Sequence, residues 1–550
     1  MTDPRPPRTR PPAMTGRYIH DVDPVDGEEA WTFFQACRDG DLDRVRKLIA
    51  HDPALVHAQH WYTQPIHFAA YANRPAVVRG LLEAGAEPGR VRFMDSGWKK
   101  LVRRAHAMGF EEVRSILEAE ARARFGYHPR FANLLDAMVA RDEQRVEEAL
   151  RHRPCLAAAA DLQGNNAVHW AVMTRQPGLL RHLVDQGADP NARRSDGQTP
   201  LQLLYNGDYE FRVWRELKGV AHPGATDVLG ALVAVGATFD LSTGCATGNL
   251  QRVRALLEEN PARARSLDSG RRNPLTYAAR AGHLHVVGLL LDHGADPSQP
   301  EELAPDGHAL WMACARGDTA MVEVLLDHGA DPNSAPDSSN SCLGITVARA
   351  GDATTTIERL LRDYGATTPI WSMTAGDLAD AINTRAPVAR TREFAEEALA
   401  RNDLALPELL LSADPDTARR LHGGSLRRGD PNVSVISRPV LEHLLAAGFD
   451  PNRPDWQGKT ALHHYAGRGD VPNARLMLEH GGNINALDDQ YHGTPLAWAA
   501  RKGHRDMVRF LLAVGADPAL PRDLPPATPG ARAHGAGDEQ IVSMLAEACR

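Results

Sequence analysis

The sequence predicts an all-α solenoid: a curved stack of about 13 to 15 short helical repeats, some degenerate, with short β-hairpin or turn fingers. Three observations predict it. A phrase of a capping residue, Pro or Ala, an apolar residue and often His recurs at 64, 166, 199, 273, 460 and 494. A Gly-Ala-Asp-Pro turn recurs at 187, 294, 329 and 515. Successive copies of the phrase start 33 residues apart (166 and 199) or 34 apart (460 and 494), so one small unit is copied along the chain.

Residues 273–297 show why each unit should fold as a pair of helices. Asn273 can cap a first helix, and Pro274 sits where a missing N–H costs nothing. Gly282 can end that helix in the left-handed conformation, and an apolar second helix follows before the Gly-Ala-Asp-Pro turn. Two helices this short are marginal alone, so each unit must bury its apolar faces against its neighbours.

This pattern of a Pro-Leu helix, a Gly-His turn, a Val/Leu helix and a Gly-Ala-Asp hairpin resembles the ankyrin repeat over roughly residues 31 to 550. The resemblance implies that the first helices and hairpin tips form a concave recognition surface. It also implies that the histidines of the recurring phrase hydrogen-bond between units; these are His67, His169 and His463. Stretches that begin at Phe33, at Phe131, near Cys245 and at Phe394 resemble the starts of repeat blocks in bacterial ankyrin proteins, which favours a bacterial source.

The block starts and composition shifts predict the domain organisation. We expect a disordered Pro/Arg-rich tail (1–30), followed by ankyrin blocks at 31–127, 128–239, 240–372 and 373–550. The second block carries an insertion near 205–226, which either lengthens the two helices of its unit or forms a contact loop. The fourth contains an irregular segment (373–432) and a C-terminal capping repeat (526–550), and residues 427–438 are expected to form a loop.

Composition narrows the classes of function. The charge is 62 basic minus 70 acidic residues, or −8, which argues against general affinity for nucleic acid or anionic membranes. Six cysteines stand far apart with no Cys-x-x-Cys pair, which suits a reducing compartment and predicts neither a disulfide framework nor a thiolate zinc site. No apolar run approaches the roughly 20 residues of a membrane span. We therefore expect a cytoplasmic protein.

Catalytic patterns are weak. Gly458-Lys459-Thr460 resembles the end of a phosphate loop, but Arg453 stands where such a loop needs its first glycine. No His-Glu-x-x-His or Gly-x-Ser-x-Gly pattern occurs. The sequence therefore predicts no catalytic residue, cofactor or metal, and a protein that is not an enzyme. The alternative is an enzyme built on the irregular segment.

Aromatic side chains recur at one position of the first helix, interpreted as the residue after the histidine. We expect them to pack between helices, with a ligand-binding stripe as the alternative; they are Phe68, Trp170, Tyr277, Trp311 and Trp498.

Candidate partner-binding residues fall in two sets. The first is expected in or beside the hairpin tips: Trp61, Tyr62, Arg193, Arg194, Arg271, Arg272, Trp456 and Tyr491. The second is expected on the concave helix face: Arg280, Arg316, Arg468, Arg501 and Lys502. Aromatic and arginine side chains are enriched at binding hot spots, and a basic strip on an acidic protein suits an acidic partner segment. The alternatives are tips that pack on one another and an ordinary solvated face.

Together these features predict a monomeric, non-catalytic scaffold that binds a partner protein and neither nucleic acid nor membrane. A rigid surface loses little entropy on binding, so its contacts translate efficiently into affinity. The alternative is a secreted effector or toxin-neutralising factor that uses the same surface. If the histidines between units are buried and neutral, we also expect stability to fall between about pH 6 and pH 5.

Overall fold

A computed structural model describes residues 10, 14, 17–18, 25–60, 63–90, 97–205, 223–301, 304, 306–336, 340–349, 352–368, 370, 373–401, 404–422, 425 and 436–549. Contacts divide the chain into two compact units. One contains 16–106 and 110–367, and the other contains 1–15, 107–109 and 368–550. The unit boundary at 367/368 lies close to the predicted block start at 373, and all of the block boundaries stay predictions.

Short α-helices dominate the described residues. In chain order they are Gly27–Asp39, Leu42–His51, Pro65–Tyr71, Pro75–Glu83, Trp98–Ala107, Glu111–Phe125, Phe131–Val139, Glu143–His152, Ala167–Met173, Pro177–Asp185, Pro200–Tyr205, Ala225–Ala234, Leu241–Thr247, Leu250–Glu259, Pro274–Ala281, Leu284–Asp292, Ala309–Arg316, Thr319–Asp327, Cys342–Arg349, Asp352–Asp363, Ala375–Asn383, Arg392–Ala400, Ala405–Ala413, Thr417–Arg420, Arg438–Ala446, Ala461–Ala466, Val471–Glu479, Pro495–Arg501, Arg505–Ala513, Pro529–Ala536 and Glu539–Ala548. Short 3-10 helices span Pro53–His57, Pro88–Arg90, Pro154–Leu156, Pro261–Arg265, Pro387–Arg390 and Pro525–Ala527. The predicted all-α fold is confirmed.

The hairpin predicted at 273–297 shows how the local sequence sets these bounds. The Asn273 side chain accepts a hydrogen bond from the backbone N–H of Leu275 (3.0 Å), and Pro274 occupies the first turn. Gly282 ends the helix with a φ of 85°, in the left-handed region. The second helix, Leu284–Asp292, follows directly and buries most of its Val and Leu side chains.

Burial comes from stacking on both sides of each hairpin. The first helices Leu241–Thr247, Pro274–Ala281, Ala309–Arg316 and Cys342–Arg349 contact one another in sequence, and the second helices that follow them do the same. The apolar side chains form one continuous core from Leu241 to Leu361. Further cores run from Phe131 to Ala237 and, in the second unit, from Leu378 to Leu545. The stability of the stack is therefore of nearest-neighbour kind.

An asparagine after the Asp-Pro turn bridges one repeat to the next. The Asn191 amide donates to the carbonyl of Gly236 (2.9 Å) and accepts from the N–H of Thr238 (2.7 Å). Asn452 does the same with Gly481 (2.8 Å) and Asn483 (2.6 Å). Each side chain thus satisfies backbone groups at the end of the following second helix, which explains why Asn recurs in the turn.

The hairpin tips also pack on one another through glycine. Gly197 has a φ of 84°, and a Cβ there would lie 1.9 Å from the carbonyl oxygen of Ser269 in the next tip. A Cβ on Gly164 would lie 2.8 Å from the backbone nitrogen of Ser195. Only glycine permits both the left-handed turn and this backbone contact, so the tips form a continuous edge along this part of the stack.

The predicted tail needs a correction at its C-terminal end. Arg17–Tyr18 and Val25–Asp26 form an antiparallel pair of strands, with Arg17 opposite Asp26. The Asp26 side chain then caps the first helix through the N–H groups of Glu28 (3.0 Å) and Glu29 (2.9 Å). The first helix therefore begins at Gly27, inside the predicted tail, because the Asp26 side chain caps it there.

The remaining predictions concern the insertion, the predicted loop, two aromatic residues, the irregular segment and the capping repeat. Most of the insertion (206–222) and most of the predicted loop (427–435) lie outside the described residues, as do Trp61 and Tyr62. The irregular segment 373–432 contributes four of the helices given above, and its buried Leu378, Phe394 and Leu410 join the core of the second unit. The last helical hairpin, within the predicted capping repeat, stacks on the hairpin that precedes it.

Candidate partner-binding surface

The histidines of the recurring phrase connect adjacent repeats. In His463, Nδ1 accepts from the backbone N–H of Thr460 (3.1 Å), and Nε2 lies 3.1 Å from the carbonyl oxygen of Gly493 in the next repeat. His169 makes the equivalent contacts with Asn166 (3.3 Å) and Gln198 (3.2 Å). In His463 both roles are satisfied by a neutral ring with its proton on Nε2. In His169 the side-chain oxygen of Asn166, which can only accept, also lies 2.8 Å from Nδ1. Burial lowers the pKa of His169 to about 3 and the pKa of His463 to about 4, so both rings are neutral near pH 7.

Other side chains replace histidine at this position. Gln202 accepts from the N–H of Thr199 (3.1 Å), as a histidine Nδ1 would. The Trp311 indole N–H donates to the carbonyl of Asn340 (2.6 Å), the acceptor position that Gln198 and Gly493 occupy in their repeats. The assignment of Trp311 to the following position is therefore wrong: it takes the histidine position, because an indole N–H can reach the same carbonyl.

The aromatic side chain that follows the histidine position donates a hydrogen bond to an aspartate in the hairpin of its own repeat. Trp170 donates to Asp161 (3.0 Å), Tyr277 to Asp268 (2.9 Å) and Trp498 to Asp488 (2.9 Å). Phe68, Trp170 and Tyr277 are buried, as expected for core residues. Trp498 is only partly buried, and it is the member of this set that contributes to a surface.

Two of the predicted tip arginines are buried and act within the protein. The guanidinium of Arg194 donates to both carboxylate oxygens of Asp196 (2.9 and 2.5 Å), and both side chains are 5% exposed. Arg272 is also buried, and its charge acts on the buried carboxylate of Glu301. Burial raises the pKa of Glu301, and the positive charge of Arg272 opposes that rise. The burial of both side chains beside acidic groups argues against a contact between either arginine and a partner.

The remaining arginines of the first unit differ in exposure. Arg193 is exposed, whereas Arg271 is partly buried at a φ of 59°. Arg280 is partly buried, and its backbone carbonyl accepts a hydrogen bond from the guanidinium of Arg316 (3.1 Å). The guanidinium of Arg316 also lies against Gly282, so this exposed side chain links two repeats. Of these four residues, Arg193 remains the clearest contact candidate.

The second unit brings several candidates together on neighbouring repeats. The guanidinium carbon of Arg501 lies 4.1 Å from the ring centroid of Tyr491 and 4.5 Å from that of Trp498. Arg468 and Lys502 occupy equivalent positions, just past the first helices Ala461–Ala466 and Pro495–Arg501, which contact each other. Within the part of the chain that the structure describes, neither Arg468 nor Lys502 forms a side-chain hydrogen bond or ion pair. We call Arg468, Tyr491, Trp498, Arg501 and Lys502 the cationic surface.

Sequence reasoning missed three residues of this region. Trp498 had been assigned to the core. The Nζ of Lys459 lies 4.7 Å from the Trp498 ring centroid, and the guanidinium carbon of Arg532 lies 5.6 Å from the Tyr491 ring centroid. Trp456, which had been predicted, is partly buried in the hairpin of the preceding repeat. The recurring spacing could have indicated Arg532, because it stands 34 residues after Trp498 at the same position of the last repeat.

Other kinds of site find little support in the described residues. They contain no group of three His, Cys, Asp or Glu side chains placed to hold a metal. A cleft of about 550 Å³ in the first unit is lined by Arg130, Asn133, Arg145, Glu148, Ala149, His152, Arg153 and Leu156, which include no hydroxyl or thiol nucleophile. Among the described helices, none combines the length and the apolar character that crossing a bilayer demands.

Comparison with known proteins agrees with this architecture. A family model for three ankyrin repeats matches residues 241–301 and 434–521, and a single-repeat model matches 163–195 and 308–337. The curated relatives include animal proteins. Palmitoyltransferase Hip14 of Drosophila melanogaster is 38% identical over 80 residues, which cover 14% of this chain and 13% of Hip14. Palmitoyltransferase ZDHHC17 of Danio rerio is 38% identical over 77 residues, 14% of this chain and 12% of the relative.

The matched segment thus spans only about an eighth of these relatives, and it is the repeats that they share with this chain. Helical hairpins at a period near 34 residues, histidines that bridge repeats and the family matches all agree. The chain therefore carries ankyrin repeats within residues 163–195, 241–301, 308–337 and 434–521.

Proposed function

We propose that this protein is a non-catalytic scaffold that binds an acidic segment of a partner protein through its hairpin tips and first-helix face. Ankyrin repeats indicate protein–protein interaction, and they are not themselves catalytic. Within that general role we assign binding to the cationic surface. The proposal includes action as a monomer in the cytoplasm, with neither nucleic acid nor membrane as the target.

The observation that carries the proposal is unpaired positive charge on an acidic protein. The chain has a net charge of −8, and its surface arginines commonly pair with carboxylates on the same helix, as Arg438 does with Glu442 (2.7 Å) and Arg509 with Asp506 (2.5 Å). Arg468, Arg501 and Lys502 make no such pair among the described residues. A patch that the protein leaves uncompensated is available to steer and hold an acidic segment.

The cysteines support a reducing compartment. All six are free thiols, and Cys37, Cys245, Cys314 and Cys342 are buried. Burial raises the pKa of the Cys37 and Cys245 thiols, which keeps them protonated and unreactive. Such thiols act as small apolar side chains in the core, as is usual for proteins that stay reduced.

The test is charge reversal at the partly buried Arg468 and the exposed Lys502. The full chain and the double variant R468E/K502E serve as baits for chemical crosslinking and mass spectrometry in lysate of the source cells. We expect the wild type to capture a defined partner, with capture weakened by salt, and the double variant to lose it. R438E/R509E is the matched control, because it reverses two exposed arginines on second helices of the same unit. Equal capture by R468E/K502E and the wild type would remove the proposal.

A further inference from the structure

We propose that Arg501 is a carboxylate clamp: its guanidinium receives one Asp or Glu side chain of the partner through two parallel hydrogen bonds. This inference rests on the proposed function and names the chemical group that the cationic surface recognises. Among the three cations of that surface, Arg501 is the one whose guanidinium packs against two aromatic rings.

Two aromatic rings pack against the guanidinium. Its carbon lies 4.1 Å from the centroid of Tyr491 and 4.5 Å from the centroid of Trp498, and the two rings meet edge to face at 5.4 Å. Asp488 supports this arrangement, because its carboxylate accepts from the Trp498 indole (2.9 Å) and from the backbone N–H of Tyr491 (2.6 Å). Arg501 is therefore pre-organised and loses little side-chain entropy when it binds.

The donors of Arg501 lack acceptors. Its side chain forms no hydrogen bond or ion pair with any residue that the structure describes, and its Nε is buried without a partner. Other arginines on the same unit do find carboxylates: Arg505 pairs with Asp538 (3.1 Å) and Arg522 with Asp517 (2.8 Å). Since buried polar groups are normally hydrogen-bonded, a partly buried guanidinium that lacks an acceptor among the described residues is suited to one from another molecule.

The geometry favours a carboxylate. One guanidinium fork offers two parallel N–H groups, which match the two oxygens of a single carboxylate. The neighbouring cations are engaged inside the protein: Lys459 donates to Gln457 (2.7 Å) and Gln490 (2.9 Å), and Arg532 donates to the carbonyl of Tyr491 (3.0 Å). Lys459 and Arg532 raise the local positive potential, but Arg501 is the guanidinium that contacts the ligand.

The test uses the full chain and a fluorescein-labelled peptide of four Glu-Gly pairs, with binding followed by fluorescence anisotropy at low salt. We expect R501Q and R501K each to weaken binding at least about tenfold. R501K decides the mechanism, because it keeps the charge but loses the planar fork. R509Q removes an exposed arginine on the following second helix and should bind like the wild type. Thermal unfolding of each variant shows whether the stack remains intact.

Three results would overturn the clamp. They are wild-type binding by R501K, equal affinity for the matching Gln-Gly peptide, and wild-type protein that does not bind the Glu-Gly peptide. A phosphoserine-Gly peptide that binds at least about tenfold more tightly than the Glu-Gly peptide would also overturn it, in favour of a phosphate site. None of these results decides the proposed function, which stands or falls on capture of a partner by the wild type and not by R468E/K502E.

Discussion

At the scale of single residues, the polar side chains of the recurring phrase act as connectors between repeats. His463 and His169 each satisfy one backbone donor in their own repeat and one carbonyl in the next. A buried imidazole can do both only when it is neutral, because a charged ring has no acceptor nitrogen. The histidines are thus tied to stability, and their protonation opposes folding.

The pH dependence of stability follows from these shifts. The folded pKa of His463 is about 4, below the ordinary value of 6.5, so the unfolded chain binds the proton first as the pH falls. The stabilisation is therefore complete above about pH 6.5 and is lost progressively down to about pH 4. The window suggested by the sequence, pH 6 to 5, lies inside this wider range.

We predict that the unfolding free energy of the wild type falls by about 1 kcal/mol more than that of H463Q when the pH drops from 6 to 5. The reason is that H463Q lacks one group that takes up a proton on unfolding. Glutamine is a suitable replacement, since Gln202 occupies the same position in another repeat. Asp455, Asp488 and His464, which act on His463, are common to both proteins. Urea denaturation at the two pH values is the measurement, with the exposed His534→Gln as control. Identical pH dependence of H463Q and wild type would contradict the assignment.

At the scale of elements, two further kinds of contact join neighbouring helical hairpins, each in a different part of the hairpin. Asparagines such as Asn452 bridge the ends of second helices, and glycines at the hairpin tips allow backbone to touch backbone. Asn452 contacts a residue about one repeat away, whereas Gly197 and Ser269 lie on successive hairpin tips that are 72 residues apart in the sequence. A change at one hairpin is therefore felt by its neighbour.

Substitutions at two glycines distinguish the cost of backbone strain from the cost of disturbing the packing between hairpin tips. Gly197 and Gly236 both have left-handed φ values, 84° and 97°, but a Cβ on Gly236 meets nothing within 4 Å, whereas one on Gly197 meets the Ser269 carbonyl. We expect G236A to lower the unfolding free energy by about 1 kcal/mol, the cost of the left-handed conformation. G197A should cost at least about 2 kcal/mol more, because the next tip must move. Urea denaturation of both variants measures this, and equal losses would argue against tip-to-tip packing.

At the scale of the whole molecule, the core is divided along the chain. One compact unit contains the cores between Phe131 and Leu361, and the other contains the core between Leu378 and Leu545. In a stack with nearest-neighbour stabilisation, a cavity weakens the repeats around it more than distant ones. Stability should therefore be a property of each unit.

We predict that L444A, which empties a fully buried position in the second unit, costs about 2–5 kcal/mol locally. Hydrogen exchange followed by mass spectrometry should show faster exchange across 436–549 and little change across 241–361. The matched variant L290A, at a fully buried position of the first unit, should give the reverse pattern. Faster exchange throughout the chain in either variant would show that the two cores open together.

The sequence by itself determined the repeat, the helix ends and the all-α class, because these depend on hydrogen bonds and turns within a few residues, as at Asn273 and Gly282. It also indicated Arg468, Tyr491, Arg501 and Lys502 by their place in the repeat. Only the tertiary structure decided which arginines are available: Arg194 and Arg272 are buried beside acids, whereas Arg501 lies between two rings. The physical reason is that period and capping fix the backbone locally. The surroundings of a side chain are set by packing, largely against residues about one repeat away.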